Sequence, residues 1–460
     1  MTLIKSISGI RGTIGGAPGS ALTPIDVVRF AAAYCTMLKQ YNPENHISIV
    51  IGRDARPSGE MISSLVSSTL VGMGADVIDL GLSTTPTVEV AVVKEKASGG
   101  IIITASHNPV QWNALKLLNA KGEFISADEG LLILSIAEKD KFDFAEVHAL
   151  GKIVRKDYLE EHLNDILALH LVDVNAIKAA TFRIAVDAVN STGGTYVPAL
   201  LHKLGVEDVV CIHCEPNGLF PHNPEPLPEN LTDLSKAVKA NVCHLGISVD
   251  PDVDRLALVC EDGSMFGEEY TLVAVADYVL KSNKGNTVSN LSSTRALRDV
   301  TQNHGAEYFA SAVGEVNVVL KMKENNAVIG GEGNGGIIYP EAHYGRDALV
   351  GIALFLTHLA KSKMLASQMR DSYPRYVISK NKIDLKEGTD VDEILSKIKS
   401  IYKNEKINTI DGIKIDFENE WVHLRKSNTE PIIRIYAESR SEEEATRLAE
   451  RVIHEIQQLV

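Results

Sequence analysis

The 460-residue sequence predicts an α/β protein: three related mixed-sheet α/β domains plus a smaller C-terminal α+β domain around a central cleft. Two observations lead to this prediction. Apolar strand-like segments alternate with helical segments over most of the chain, which is typical of strands joined by crossover helices. The chain is also too long for a single core, because domains usually contain about 100–200 residues.

The first round of alternation begins with the strand "HISIVIG" and the helix "PSGEMISSLVSSTLVGMG", which has an initial proline, spaced apolar residues and a final glycine. It continues with the strand "DVIDLG", the helix "TPTVEVAVVKEKAS" and the strand "GGIIITAS". Two further rounds close with "CHLGISVDPDVDR" and "NAVIGGEGNGG". Each round ends with an apolar strand that leads into a loop of unusual composition, so we expect three loops to face one cleft.

The C-terminal part has a different pattern. A helix, "EILSKIKSIYKNEK", precedes the hairpin strands of "INTIDGIKIDFENEWVHLRKS", the strand "IIRIYAES" and a final helix with an acidic first turn. These elements predict a smaller α+β domain after a linker at residues 370–381. The predicted domains are residues 1–153, 154–255, 256–370 and 371–460.

Composition narrows the classes of partner. The chain has 46 Lys and Arg against 60 Asp and Glu, which argues against non-specific nucleic-acid binding. The N-terminus lacks a secretory apolar region and no apolar run reaches the length of a membrane span, so we expect a cytoplasmic protein without a membrane partner. The five cysteines are scattered. The single CxxC pair, Cys211 and Cys214, is more typical of strand residues than of a redox pair, and a zinc site would need a second pair.

The loop "DPDVDR" places Asp250, Asp252 and Asp254 at alternate positions, which share one face of an extended segment. Three carboxylates on one face repel each other unless a cation lies among them, and Mg²⁺ prefers such oxygen ligands. The alternatives are a solvated acidic turn or a calcium loop of the EF-hand type. The latter is excluded because Arg255 stands where that loop needs a glycine, and an apolar strand follows.

The loop "TASHNP" and the strand after it contain Ser106, His107 and Lys116. A Ser–His–Asp hydrolase would need a GxSxG turn and a separate histidine, and the sequence has neither. From an extended backbone, we expect the ring of His107 not to reach the preceding hydroxyl. Phosphate chemistry at Ser106, with Lys116 as a proton carrier, is therefore the favoured interpretation.

Two more loops carry ligand-binding side chains. "GGEGNGG" offers Glu332 and Asn334 as partners for sugar hydroxyls, although glycine-rich turns are common. "RKSNTEPIIR" suits a phosphate or is a polar turn, with the candidate donors Arg425, Ser427, Asn428, Thr429 and Arg434. In the first domain, Arg11, Arg53, Asp54 and Arg56 either steer an anion or form structural ion pairs.

The four loops "TASHNP", "DPDVDR", "GEGNGG" and "RKSNTEP" occur in this order at domain-scale spacing. In this respect the sequence resembles the α-D-phosphohexomutase superfamily, which includes phosphoglucomutases, phosphomannomutases and phosphoglucosamine mutases. The opening "SGIRGTIGG" and the stretch "EPNGLFPHNPEP", residues 215–226, also resemble that family. The resemblance covers essentially the whole chain.

The resemblance implies that phosphate moves between O6 and O1 of a hexose phosphate through phosphoserine at Ser106 and a bound hexose bisphosphate. Mg²⁺ would be held by Ser106, Asp250, Asp252 and Asp254. Arg11, His107 and Lys116 would lie near the reacting centre. The implied substrate-binding residues are Arg255, Glu332, Asn334, Arg425, Ser427, Asn428, Thr429 and Arg434.

The chain departs from the family pattern at three places. Pro251 and Val253 stand where glycines separate the family's aspartates, Asn428 replaces a frequent glycine, and Gly336 stands where a histidine often closes the sugar loop. "GEGNGG" is closest to the loops of phosphoglucosamine mutases, which favours glucosamine 6-phosphate. The alternatives are a phosphoglucomutase/phosphomannomutase or a sugar-phosphate-binding protein without activity. A kinase is disfavoured because no GxxxxGK[ST] motif occurs. We expect a monomer or a homodimer.

Overall fold

A computed structural model describes residues 1–6, 9–43, 45–385, 389–426 and 432–459. The strands are β1 (Leu3–Ser6), β2 (Gly9–Thr13), β3 (Ser48–Arg53), β4 (Asp76–Leu82), β5 (Gly99–Ile103), β6 (Trp112–Leu118), β7 (Ile153–Arg155), β8 (Arg183–Asp187), β9 (Asp208–Ile212), β10 (Leu245–Val249), β11 (Leu256–Cys260), β12 (Thr287–Asn290), β13 (Tyr308–Ser311), β14 (Ile329–Glu332), β15 (Gly336–Ile338), β16 (Val377–Asp384), β17 (Lys406–Asn408), β18 (Ile413–Asp416), β19 (Trp421–Lys426) and β20 (Ile432–Ser439).

The helices are α1 (Pro24–Tyr41), α2 (Gly59–Gly72), α3 (Thr85–Lys94), α4 (Ala127–Lys139), α5 (Leu159–Ala168), α6 (Val174–Ala180), α7 (Gly193–Lys203), α8 (Thr232–Ala240), α9 (Glu268–Ser282), α10 (Ala296–Asn303), α11 (Glu315–Glu324), α12 (Ala348–Ser362), α13 (Ala366–Asp371), α14 (Val391–Ile401) and α15 (Glu442–Leu459). Within the part of the chain that the structure describes, none of them is long and apolar enough to cross a membrane.

The chain forms two compact units. Unit 1 comprises residues 1–271 and 335–367, and unit 2 comprises residues 272–334 and 368–460. The predicted domain boundaries after residues 153, 255 and 370 are a finer division of the chain and stay a prediction.

Unit 1 contains two mixed sheets. The first has the order β1-β2-β6-β5-β3-β4-β7, with β3 parallel to β4 and β5, and β6 antiparallel to β5. The second has the order β11-β10-β8-β9, with only β11 antiparallel. Every residue of β5 and β10 is buried. The carboxyl ends of these two buried strands therefore lead directly into the loops that contain Ser106 and Asp250.

Unit 1 also includes helix α12, whose first twelve residues are all buried. Asp347 caps this helix, since its side chain accepts hydrogen bonds from the backbone N–H groups of Leu349 and Val350. A helix that is apolar on all sides is typical of a core position. It packs against α5, α6 and α7.

In unit 2, strands β13, β12 and β14 are parallel neighbours. The C-terminal sheet is antiparallel, with the order β16-β20-β19-β18-β17. Helices α14 and α15 contribute Ile394, Ile398, Val452 and Ile456 to the core of this sheet. The predicted hairpins and final helix of the C-terminal region are thus present, and β14 ends at the predicted sugar loop.

Candidate active site

The serine loop begins where β5 ends. Ser106 has a left-handed backbone with φ of 48°. Its N–H donates to Thr104 Oγ1 at 2.9 Å, and Thr104 Oγ1 donates to Asp54 Oδ2 at 2.7 Å. Arg11 Nη1 donates to Asn108 Oδ1 at 3.0 Å on the other side of the loop. These contacts fix the direction in which the Ser106 hydroxyl is presented.

A buried guanidinium holds the same loop by its main chain. Arg56 pairs with Asp54 at 2.9 Å between Nε and Oδ2. It also donates to the carbonyl oxygens of Ser106, Asn108 and Pro109, the last two at 2.6 Å and 2.7 Å. The sequence left two roles open for Asp54 and Arg56, steering an anion or forming a structural ion pair. The structure supports the ion pair.

Asp250, Asp252 and Asp254, called here the aspartate cluster, are fully buried after β10. Each offers a carboxylate oxygen within 4.8 Å of the others. Asp250 Oδ1 accepts hydrogen bonds at 3.1 Å from the backbone N–H groups of Asp254 and Arg255. Ser106 Oγ donates to Asp250 Oδ2 at 2.8 Å. The structure therefore brings together all four side chains that the sequence assigns to a metal.

The donor set of the aspartate cluster fits Mg²⁺. Asp252 Oδ1 and Asp254 Oδ1 are buried and accept no hydrogen bond from any residue in the described ranges. Burial, together with the charges of Asp254 and Asp252, raises the pKa of Asp250 well above its usual range. Converging buried carboxylate oxygens that lack donors are what a hard divalent cation binds.

Two cationic side chains partly balance this cluster. Lys116 Nζ lies 2.7 Å from Asp252 Oδ2 and 3.3 Å from Asp254 Oδ2. Arg346 Nη2 lies 2.7 Å from Asp254 Oδ2. Burial alone would lower the pKa of Lys116, but Asp252 and Asp254 outweigh it and raise that pKa. Lys116 is therefore an ammonium group here.

His107 lies closer to the serine than expected. Its Nδ1 is 3.3 Å from Ser106 Oγ, so the expectation that the ring would not reach the hydroxyl is wrong. The reason is the left-handed backbone of Ser106, which turns the two side chains toward each other. Burial and the nearby Arg255 lower the pKa of His107 to about 2, which keeps the imidazole neutral.

Three residues of this site were not predicted from the sequence. Arg346 pairs with the aspartate cluster, and Thr85 Oγ1 donates to Asp252 Oδ2 at 2.6 Å. Glu225 Oε1 lies 3.3 Å from Arg255 Nη1. Only Glu225 carried a signal, because it lies in "EPNGLFPHNPEP", which resembles the family.

In unit 2, Glu332 ends β14 as a buried carboxylate. Its Oε1 accepts hydrogen bonds from Asn290 Nδ2 at 2.8 Å and from the N–H of Gly314 at 3.1 Å. Asn334 follows, half-buried. Donors from two other segments therefore fix the predicted sugar-binding carboxylate.

The predicted phosphate loop is only partly described. Arg425 on β19 lies opposite Arg434 on β20 in the antiparallel register, and Arg425 Nε is 3.4 Å from Asp411 Oδ2. Asp411 supplies a counter-charge to Arg425, and Arg434 is exposed to solvent. Phosphate binding by this pair stays a prediction. Outside the described residues lie Ser427, Asn428 and Thr429.

Comparison with known families agrees with this geometry. The family model "Phosphoglucomutase/phosphomannomutase, alpha/beta/alpha domain I" matches residues 3–144. The models of domains II and III match residues 157–263 and 267–376, and the C-terminal domain model matches residues 382–455.

Individual proteins resemble the chain over nearly its full length. A phosphoglucomutase/phosphomannomutase of Thermococcus kodakarensis is 36% identical, covering 95% of this chain and 96% of that protein. A phosphoglucosamine/phosphogalactosamine mutase of Sulfurisphaera tokodaii is 31% identical, covering 98% of both. The crystal structure of a phosphoglucomutase/phosphomannomutase family protein of Burkholderia thailandensis has a TM-score of 0.86 at 24% identity, covering 99% of this chain and 97% of that one. This last likeness confirms the predicted fold class.

Proposed function

Because the chain belongs to the phosphoglucomutase/phosphomannomutase family, we propose that it moves phosphate between O6 and O1 of a hexose phosphate through Ser106. The observation that carries the proposal is the 2.8 Å hydrogen bond from Ser106 Oγ to Asp250 within the buried aspartate cluster. Phosphoryl transfer depends mainly on positioning and on neutralising negative charge. A hydroxyl anchored in a cation site meets both needs.

In the proposed mechanism, phosphoserine at Ser106 gives its phosphoryl group to one sugar hydroxyl and a hexose bisphosphate forms. The other phosphoryl group then returns to Ser106 Oγ. Asp250, Asp252, Asp254 and the Ser106 oxygen would hold Mg²⁺, which when bound neutralises charge on phosphoryl oxygens.

Two side chains beside the reacting oxygen are assigned roles from their positions and charge states. His107 Nδ1 lies 3.3 Å from Ser106 Oγ and would position that oxygen through a hydrogen bond, because its lowered pKa makes the imidazole a weak base. Lys116, which is an ammonium group beside Asp252, would supply the proton that a leaving oxygen takes up. Arg11 and Arg255 would bind phosphoryl oxygens. In unit 2, the sugar hydroxyls and the non-reacting phosphate are assigned to Glu332, Asn334, Arg425, Ser427, Asn428, Thr429 and Arg434.

We assign glucosamine 6-phosphate as the preferred substrate. The support is the "GEGNGG" loop, whose buried Glu332 carboxylate would pair with a 2-ammonium group, and the Sulfurisphaera tokodaii relative, whose name includes phosphoglucosamine. The Thermococcus kodakarensis relative, at 36% identity, favours a second candidate, interconversion of glucose or mannose phosphates.

Specificity constants decide between the two candidates. We expect kcat/KM to be highest for glucosamine 6-phosphate among the 6-phosphates of glucosamine, glucose and mannose. Glu332→Gln keeps an oxygen for Asn290 and Gly314 but removes the charge, so its kcat/KM for glucosamine 6-phosphate should fall about tenfold more than for glucose 6-phosphate. If glucosamine 6-phosphate is the poorest of the three substrates, the assignment is wrong.

A variant of Ser106 tests the alternative that the chain binds sugar phosphates without catalysing a reaction. Ser106→Ala should lower kcat/KM at least about 10³-fold and abolish a phosphate adduct in the intact mass. Ser67→Ala, which removes a buried hydroxyl in helix α2, is the matched control and should keep both. Sugar-phosphate binding without turnover, unchanged by Ser106→Ala, would favour the binding protein.

A further inference from the structure

Away from the aspartate cluster, unit 1 contains a second group of convergent ligand atoms around Asp347. Oδ1 of this carboxylate caps helix α12 by accepting the N–H groups of Leu349 and Val350 at 2.8 Å and 3.1 Å. Oδ2 lies 2.9 Å from His162 Nε2 and 3.1 Å from His343 Nε2. One carboxylate oxygen therefore faces two imidazole nitrogens.

Helix α3 lies against the far side of each ring. His162 Nδ1 is hydrogen-bonded to Thr87 Oγ1 at 2.9 Å, whereas His343 Nδ1 and Glu89 Oε2 form an ion-pair contact at 3.2 Å without hydrogen-bond geometry. In metal sites, a ligating histidine usually has its second ring nitrogen fixed in this way by a hydroxyl, a carbonyl or a carboxylate. Thr87 and Glu89 therefore occupy the positions of supporting residues.

The charges and dimensions suit a divalent cation. Asp347, Glu89 and His162 are almost fully buried, so two carboxylates need two positive charges nearby. One divalent cation with two neutral imidazoles supplies them. Tetrahedral zinc, with bonds of about 2.0–2.1 Å, separates its ligand atoms by about 3.3 Å. The observed separations from Asp347 Oδ2 are only a few tenths of an ångström shorter.

A route for the cation exists beside the group. A cavity of about 490 Å³ is lined by both histidines, by Lys94 and Lys121, and by the carboxylates Glu123, Asp165 and Glu341. A metal site requires such an entry path. Without a cation, burial alone would lower the pKa of His343, but Asp347 and Glu89 outweigh burial and raise that pKa to about 10. A proton on the His343 ring therefore competes with the metal.

We propose that His162 Nε2, His343 Nε2 and Asp347 Oδ2 bind a divalent transition metal, with Zn²⁺ as the best match. The mixture of imidazole and carboxylate ligands distinguishes this site from the all-oxygen aspartate cluster. The metal would join helix α5, through His162, to residues 343–347, which lead into helix α12.

The test uses the full-length protein in saturating Mg²⁺, which occupies the aspartate cluster, and Co²⁺ followed by Zn²⁺ as probes. We expect one equivalent of Co²⁺ with the intense visible absorption of a tetrahedral site, displaced by Zn²⁺. His162→Gln should lower the Zn²⁺ affinity at least about 100-fold, and Thr87→Val about tenfold through lost support of the ring.

Two histidine variants are the matched controls. His304→Gln removes another histidine that pairs with an aspartate, and His222→Gln removes a member of the Asp187, His213 and His222 group. Both should bind Zn²⁺ like the parent protein. Absence of the tetrahedral signal, an unchanged affinity in His162→Gln, or loss of binding in His222→Gln would overturn the proposal.

X-ray absorption of the zinc-loaded parent protein keeps the proposal testable if His162→Gln does not fold. Two imidazole ligands without sulfur are expected. Sulfur ligands would place the metal at Cys211 and Cys214, and a shell of oxygens alone would place it at the aspartate cluster; either result contradicts the assignment.

Discussion

The aspartate cluster of unit 1 can be compared with a buried group in unit 2 that consists of Arg295, Lys414, Trp421 and Glu438, called here the Glu438 cluster. Both keep ionisable side chains away from water. In the aspartate cluster, two carboxylate oxygens accept no hydrogen bond from the described parts of the chain. The excess of negative charge there is only partly balanced by Lys116 and Arg346.

The Glu438 cluster is much better satisfied. Glu438 Oε1 accepts from Trp421 Nε1 at 2.6 Å and from the N–H of Arg295 at 3.1 Å. Lys414 Nζ donates to the carbonyl of Leu291 at 2.7 Å and lies 4.0 Å from the Trp421 ring. In these two clusters, the charges that are surrounded by donors support the fold, whereas the like charges that converge without donors indicate a ligand.

The largest expected effect would break the satisfied cluster. Glu438→Gln removes the negative charge between Arg295 and Lys414 and places an amide N–H against a backbone donor. We expect the free energy of unfolding of unit 2 to fall by about 3–5 kcal/mol in urea denaturation. Glu418→Gln, at an exposed position of the same unit, should change it by less than about 0.5 kcal/mol. Equal effects would contradict the comparison.

Acid should weaken unit 2 through His423. Its neutral ring donates from Nε2 to the Asp411 carbonyl at 2.7 Å, and Nδ1 lies 2.9 Å from Ser292 Oγ. Burial lowers its pKa to about 4. Because the unfolded pKa is about 6.5, the unfolded chain binds the proton more readily. The stability is complete above pH 6.5, and up to about 3 kcal/mol is lost as pH falls toward 4.

Urea unfolding across this pH range measures the loss. His423→Gln has no titrating ring, so the difference between its stability and that of the parent should change over the same interval. A difference that is constant with pH would show that His423 does not titrate as described.

The smallest expected effect has the opposite sign and concerns the aspartate cluster. Asp250→Asn removes a carboxylate whose pKa is raised by burial and by its neighbours, so the Mg²⁺-free protein should gain about 1 kcal/mol while activity falls. Asp254→Asn is the matched variant. Burial alone would raise the pKa of Asp254, but Arg346 and Lys116 outweigh burial and lower that pKa. Asp254→Asn should therefore destabilise the folded protein. Chelator-treated protein unfolded in urea measures both, and a loss in Asp250→Asn would contradict the expectation.

Much of the fold could be predicted because its signals are local. The helix predicted at "PSGEMISSLVSSTLVGMG" is α2, and the apolar strands before the three loops are β5, β10 and β14. Each depends on the spacing of apolar residues within one segment. The division into two units was not predicted, since packing between distant segments leaves no periodic pattern.

The site was predictable where a loop carries its own chemistry, as in "DPDVDR". It was not predictable where the partner is remote: Arg346 lies 92 positions from Asp254, and nothing near it indicates the pair. The contact between His107 and Ser106 was missed because a left-handed backbone at a serine is uncommon and has no glycine to mark it.

Arg56 has a consequence for how this protein can change over time. Its guanidinium reaches the serine loop through the main-chain oxygens of Ser106, Asn108 and Pro109, and every amino acid supplies such an oxygen. The contacts of Arg56 with the loop therefore do not depend on which side chains the loop carries. A substitution at position 107 can alter reactivity while the loop keeps its path, because the contacts of Arg56 do not depend on that side chain.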